Sequence, residues 1–337
     1  MKEKARPRTG LIAAAVFLML VAVAARLAHD SYTHERRNQL LLDAVRRADV
    51  EEARNLLDEG ADANIQAPPA GLPSGKMNLW NFFLQWTARP PSSPNLPTVF
   101  LLACENGDHD TIQLLLDHGA QVNARKWGSI PSAINQTGNS ANGPLTTPLI
   151  ALLGKGDIYT TVTPRHKREQ ESYEQWVDSI RLLLDRGANI NAGDSAGQTP
   201  LMAAAEAARP DLVKLFLDRG ADVNARDSLG NTVLLRVLAD RTSLGLMPLA
   251  PDKQLEVVRL LLDRGAKADV RNIAGATPIM RAAGDYSAPE ATTRQIIQLL
   301  VSRGAVIDAR SLAEAAFNQN RVFFLIATCR DADIHSK

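Results

Sequence analysis

Apolar residues along this chain fall in short paired runs separated by polar turns, and the pattern is clearest over residues 194–226. Leu201 and the alanines Ala203, Ala204 and Ala205 make a narrow first run, and Val213, Leu215, Phe216 and Leu217 make a wider second one. The second run has the spacing of an amphipathic helix with a broad buried face. Thr199 can accept a backbone N–H at a helix start, and Pro200 follows at the first helical position, where a missing N–H costs nothing. Gly220 ends the second run, because the left-handed backbone that closes many helices is open to a residue without Cβ. Two short helices joined by a tight turn are predicted.

The same ending, Gly-Ala-x-x followed by Asn or Asp, recurs. Gly60, Gly119, Gly187, Gly220, Gly265 and Gly304 stand 59, 68, 33, 45 and 39 residues apart. The sequence Asp194-x-x-Gly197, then Thr199-Pro200-Leu201, then Gly220-Ala221-Asp222-Val223-Asn224 resembles the ankyrin-repeat family. The resemblance extends over about residues 40–333: six repeats, the first with a degraded opening, and a helical pair at 311–333 that would form a C-terminal cap. It implies an all-α solenoid of stacked helix-turn-helix units with β-turn fingers, preceded by a hydrophobic N-terminal helix. It also implies a monomeric, non-catalytic scaffold that binds another protein through its concave face and fingers. The family often has His after Thr-Pro-Leu, where this chain has Ile150, Met202, Leu235 and Met280. Apolar packing between repeats is expected in place of that histidine's hydrogen bonds.

Measured against a unit of about 33 residues, the spacings leave surpluses of about 26, 35, 0, 12 and 6. They place insertions near residues 67–94, 127–143, 155–172 and 240–251. The first is Pro-rich and encloses Met77 to Trp86, whose apolar positions follow helical spacing. All four tryptophans, Trp80, Trp86, Trp127 and Trp176, lie in or beside insertions. Since binding hot spots favour Trp, Trp80, Phe83, Trp86 and Trp127 are the candidate partner-binding residues. The same rings could instead fasten the insertions to the scaffold, or sit in a membrane interface.

The amino terminus is of another kind. Lys2, Lys4, Arg6 and Arg8 precede an uninterrupted apolar run from Leu11 to Ala25. Residues 1–28 therefore read as a signal peptide or a single membrane anchor, 29–39 as a linker and 334–337 as a tail. A membrane contact would run through residues 11–28 if the segment is uncleaved. The repeats are then expected in the periplasm, or held on the outer side of an inner membrane, across from the basic end. Beyond residue 28 the chain carries 33 basic and 36 acidic residues, a balance without the basic surplus that nucleic-acid binding needs.

Chemistry-bearing patterns are sparse. Gly71 to Met77 is one residue short of a phosphate loop and has Met where Ser or Thr must bind Mg²⁺. The six histidines lack second ligands at metal spacing, so neither a metal nor a cofactor is expected. Cys104 and Cys329 fall several repeats apart, beyond disulfide reach. The pairs Asp185-Arg186, Asp218-Arg219 and Asp263-Arg264 recur with the repeat and read as solvated surface residues. Two other classes stay open: an inhibitor or immunity protein blocking a toxin or enzyme, and an enzyme whose site the insertions build.

Overall fold

The computed structural model describes residues 8–66, 98–124, 126–127, 145–155, 167–239, 250–284 and 288–308. Twelve helices lie among the described residues: α1 (Arg8–Arg46), α2 (Val50–Asp58), α3 (Val99–Asn106), α4 (His109–Asp117), α5 (Pro148–Lys155), α6 (Lys167–Asp185), α7 (Pro200–Glu206), α8 (Pro210–Asp218), α9 (Val233–Val237), α10 (Pro251–Asp263), α11 (Pro278–Gly284) and α12 (Glu290–Ser302). They alternate between two rows. The end of α1 packs on α3, α3 on α5, α5 on α7, α7 on α9 and α9 on α11, forming an inner row. The even-numbered helices form the outer row, each packed on the inner helix before it. The result is a single stack of six helix pairs.

The inner helices after the first are short because their starts and stops are written locally. Thr98, Thr147, Thr199 and Thr277 accept the N–H groups of Leu101, Ile150, Met202 and Met280, capping four of them. A cap of this kind stabilises by about 1 kcal/mol. The positions where the family often has His are apolar, as expected, with Met202, Leu235 and Met280 buried against neighbouring repeats. Outer helices close on glycines in the left-handed region, as at Gly187 (φ 86°) and Gly220 (φ 87°). The core runs continuously along the stack, from Leu41 and Leu42 through Phe100, Ile112, Leu153 and Phe216 to Ile297 and Leu300.

Two boundaries differ from the sequence reading. The stretch 29–39, expected as a linker, lies inside α1, which continues from Arg8 into the inner helix of the first repeat. The first repeat has Gln39-Leu40 where later ones have Thr-Pro or Thr-Val, and neither Gly nor Pro occurs from residue 11 to 46, so nothing stops the helix. Asn38 is already part of the repeat, its Oδ1 accepting the Asp62 N–H at 2.9 Å. Likewise α6 begins at Lys167, within the expected 155–172 insertion. Lys167 to Glu174 holds good helix formers and no breaker, and it prolongs the outer helix toward its N-terminus. Phe17, Leu18, Met19, Val23 and Leu27 on α1 are exposed. Among the described residues no helix is long and apolar enough to cross a membrane.

Repeats are clasped along the turns that follow the outer helices. Asn64 donates to the Gly119 carbonyl and accepts from the Gln121 N–H; Asn123 does the same with Gly187 and Asn189, and Asn224 with Gly265 and Lys267. Beside these clasps runs a ladder of ion pairs, each reaching back one repeat. His118 meets Asp58 at 3.5 Å, and Arg186, Arg219, Arg264 and Arg303 meet Asp117, Asp185, Asp218 and Asp263 at 2.7 Å. The recurrent Asp-Arg pairs are thus solvated, as their sequence suggests, and also bonded between repeats. Exposed pairs add at most about 1 kcal/mol each, so the ladder aligns neighbours more than it stabilises them. Its ends are marked by composition: Glu59 stands at the basic position of the first repeat and Ser302 at the acidic position of the sixth.

Candidate functional site

The inner helices and the fingers between repeats share one face. Counting from the capping threonine, the fourth and seventh following residues project on this face. They are Leu102 and Glu105 in the second repeat, Ala151 and Gly154 in the third, Ala203 and Glu206 in the fourth, Arg236 and Ala239 in the fifth, and Arg281 and Gly284 in the sixth. Among the described residues, a Cβ placed on Gly154 would meet nothing within 4 Å. Charge gathers toward its C-terminal half.

The densest polar cluster joins the fourth and fifth repeats. Asp227, at the start of the fifth repeat's finger, has a side chain fully withdrawn from solvent. It accepts the N–H groups of Leu229 (2.9 Å) and Asn231 (2.7 Å), the Asn231 amide and the Arg236 guanidinium (2.8 Å). Burial pushes the Asp227 carboxyl up, but the Asn231 donors and Arg236 outweigh it and hold the group below the usual carboxylate range. Arg236 also donates to Glu206 at 2.6 Å, and Glu206 accepts from Gln198 at 2.6 Å. Burial alone would lower the Arg236 pKa; Glu206 and then Asp227 reverse that and raise it. Asn272 continues the line by donating to Asn231 at 2.8 Å. Every member of this cluster is matched, so it fixes two fingers and an inner helix as one rigid surface.

The fingertips are apolar. Ile273 N–H donates to the Leu229 carbonyl at 3.0 Å, which sets the two side chains on adjacent tips, 77% and 62% exposed. Farther toward the N-terminus, β1 (Lys126–Trp127) pairs antiparallel with β2 (Leu145–Thr146) at the base of the finger inserted between the second and third repeats. Of the candidate partner-binding residues, Trp127 lies in β1, opposite Leu145. Its side chain, together with Trp80, Phe83 and Trp86, falls outside the described residues, as does the expected cap at 311–333.

Trp176, also at an insertion edge, is a core residue. Its indole N–H donates to the Leu152 carbonyl at 2.9 Å, and its ring lies 5.6 Å from that of Tyr173. Tyr173 in turn donates to Asp211 and lies under the Arg209 guanidinium, tying the third repeat to the fourth. His118 belongs to the ladder described above, and His109 contacts the third repeat. Ser179 donates to the Gln175 carbonyl, so its oxygen accepts from His109 Nδ1 at 2.9 Å. Cys104 is buried, and burial raises its thiol far above the reactive range. Among the described residues no group of three or more His, Cys, Asp or Glu side chains could hold a metal ion.

The sequence reading did not find the Glu206, Arg236 and Asp227 cluster. The signal was present in register: the residues stand at two inner-face positions and one finger position, legible once the repeats are aligned on their threonines. The comparisons agree with this geometry. The family model described as Ankyrin repeat matches residues 98–127, and that described as Ankyrin repeats (many copies) matches residues 183–235. No curated protein sequence matches the chain.

Proposed function

The chain is an ankyrin-repeat protein, and from that we propose that it binds another protein along the inner-helix and finger face, on the outer side of a membrane. Such repeats are protein-interaction scaffolds and generally non-catalytic. The observation that carries the choice of face is the gathering of the charged Glu105, Glu206, Arg236 and Arg281 and the exposed fingertip residues Leu229 and Ile273 on one side. Trp80, Phe83, Trp86 and Trp127, in the insertions, would extend this surface. A photo-crosslinking residue at Leu102 or Glu206 should capture a partner protein that the same residue at Lys214, on the outer row, does not. Equal capture from both rows, or none, would remove the assignment.

The location rests on the basic start and the apolar run Leu11 to Ala25, and on exposed Phe17, Leu18, Met19, Val23 and Leu27. Contiguous apolar surface of that kind needs a lipid or protein cover. Alkaline phosphatase fused after Lys337 is active only outside the cytoplasm of a bacterial host. An active fusion is expected, and an inactive one expressed at the same level would defeat the export reading.

A further inference from the structure

Arg236 and Arg281 occupy the same register, each four residues after its repeat's threonine, Thr232 and Thr277. Arg236 is held by two carboxylates: Glu206, seven residues after Thr199 on the preceding inner helix, and Asp227, three residues before Gly230 in its own finger. At the next junction the matching positions are Ala239 and Asn272. Both carboxylates are gone. Asn272 keeps the structural half of the finger's work, its Oδ1 accepting the Ala276 N–H at 2.8 Å as Asp227 accepts that of Asn231. It brings no charge. Among the described residues the Arg281 side chain, partly buried on the inner face, makes no hydrogen bond or ion pair, and its Nε is buried with no partner.

A withdrawn guanidinium donor without an acceptor is costly, and planar Arg recognises carboxylates through paired N–H bonds. We propose that Arg281 receives a carboxylate from an acidic side chain of the protein partner, which takes the place that Glu206 and Asp227 fill beside Arg236. The nearby Arg271 does not compete for this role, because Asp308 already pairs with it at 2.9 Å. This site rests on the inner-face binding reading above and specifies the chemistry of the partner.

The test uses the full chain and a phage-displayed random dodecapeptide library as probe. Selected peptides should share one Asp or Glu whose replacement by the amide weakens binding about tenfold or more. Arg281→Gln should weaken them equally. So should the double variant Ala239→Glu, Asn272→Asp, which rebuilds the internal carboxylates and should also raise Tm by a few degrees as the guanidinium gains partners. Peptides that bind the inner face with no acidic requirement, and equally well to Arg281→Gln, overturn the carboxylate site and leave the binding-module reading intact. Selection of no peptide at all overturns both. A drop of several degrees in Tm for Arg281→Gln would show that the guanidinium already has a partner within the chain, and the proposal would fall.

Discussion

The junction between the fourth and fifth repeats and the one between the fifth and sixth share a backbone and differ in how their polar groups are satisfied. At the first, Gln198, Glu206, Arg236, Asp227 and Asn231 are saturated, and Asn224 clasps Gly265 and Lys267. At the second, Ala239 and Asn272 stand where carboxylates were, and Asp269 replaces the clasping Asn. An Asp side chain cannot donate to the next closing-glycine carbonyl. The ion pairs Arg303 to Asp263 and Arg271 to Asp308 remain. One junction has its polar groups closed on themselves; the other leaves the Arg281 Nε without a partner among the described residues. Neighbouring copies of the same unit thus differ in whether their polar groups are closed within the chain.

The contrast can be broken most severely at Asp227. Asp227→Ala takes one of its two carboxylates from Arg236, leaving Glu206, and opens the finger, and should cost about 3 kcal/mol, read from the urea midpoint. The same residue governs acid sensitivity. Its folded pKa lies below the unfolded value of about 3.9, so its stabilisation is complete above the unfolded value and is lost as pH falls through the folded one. Asp227→Asn should flatten the fall in urea midpoint over that acidic range, and an unchanged acid slope would contradict the assignment.

Next in size is the clasp. Asn224→Ala removes a donor and an acceptor across the fourth and fifth repeats and should cost about 1.5 kcal/mol, with amide exchange quickening at Lys267. The reciprocal change, Asp269→Asn, can form the missing clasp and should gain about 0.5 kcal/mol, since the site is exposed. Similar in size is a comparison of caps. Thr199→Val should cost about 1 kcal/mol, whereas Thr232 makes no cap bond and buries an unpartnered hydroxyl. Thr232→Val should therefore leave thermal stability unchanged or raise it slightly. The smallest expected effect is at Ala208, whose φ of 47° suits glycine; Ala208→Gly should stabilise by about 0.5 kcal/mol.

Much of the fold was legible because its punctuation is chemical. Thr-Pro pairs and closing glycines mark the ends of most helices, and these ends needed no tertiary information. What escaped was of two kinds. Polarity marks residues 29–39 as a connection and surplus length marks 167–172 as one, although nothing in either stretch breaks a helix; a solvated face looks the same in a linker and in a helix. The inner-face cluster escaped because its members lie 9 to 30 residues apart and meet only when adjacent repeats are set in register. The Asp-Arg ladder shows the same limit. Each pair looks local in sequence, yet its Arg bonds to the repeat before and its Asp to the repeat after.

The unbroken course of α1 has a mechanical corollary. Between its exposed apolar end and the first repeat there is no joint, so the helix acts as a torsion rod of fixed pitch. Adding one residue anywhere in 28–36 would swing the whole array through about 100° and lift it by about 1.5 Å relative to that end. Whatever grips the rod at its tip also chooses the compass bearing in which the array looks out.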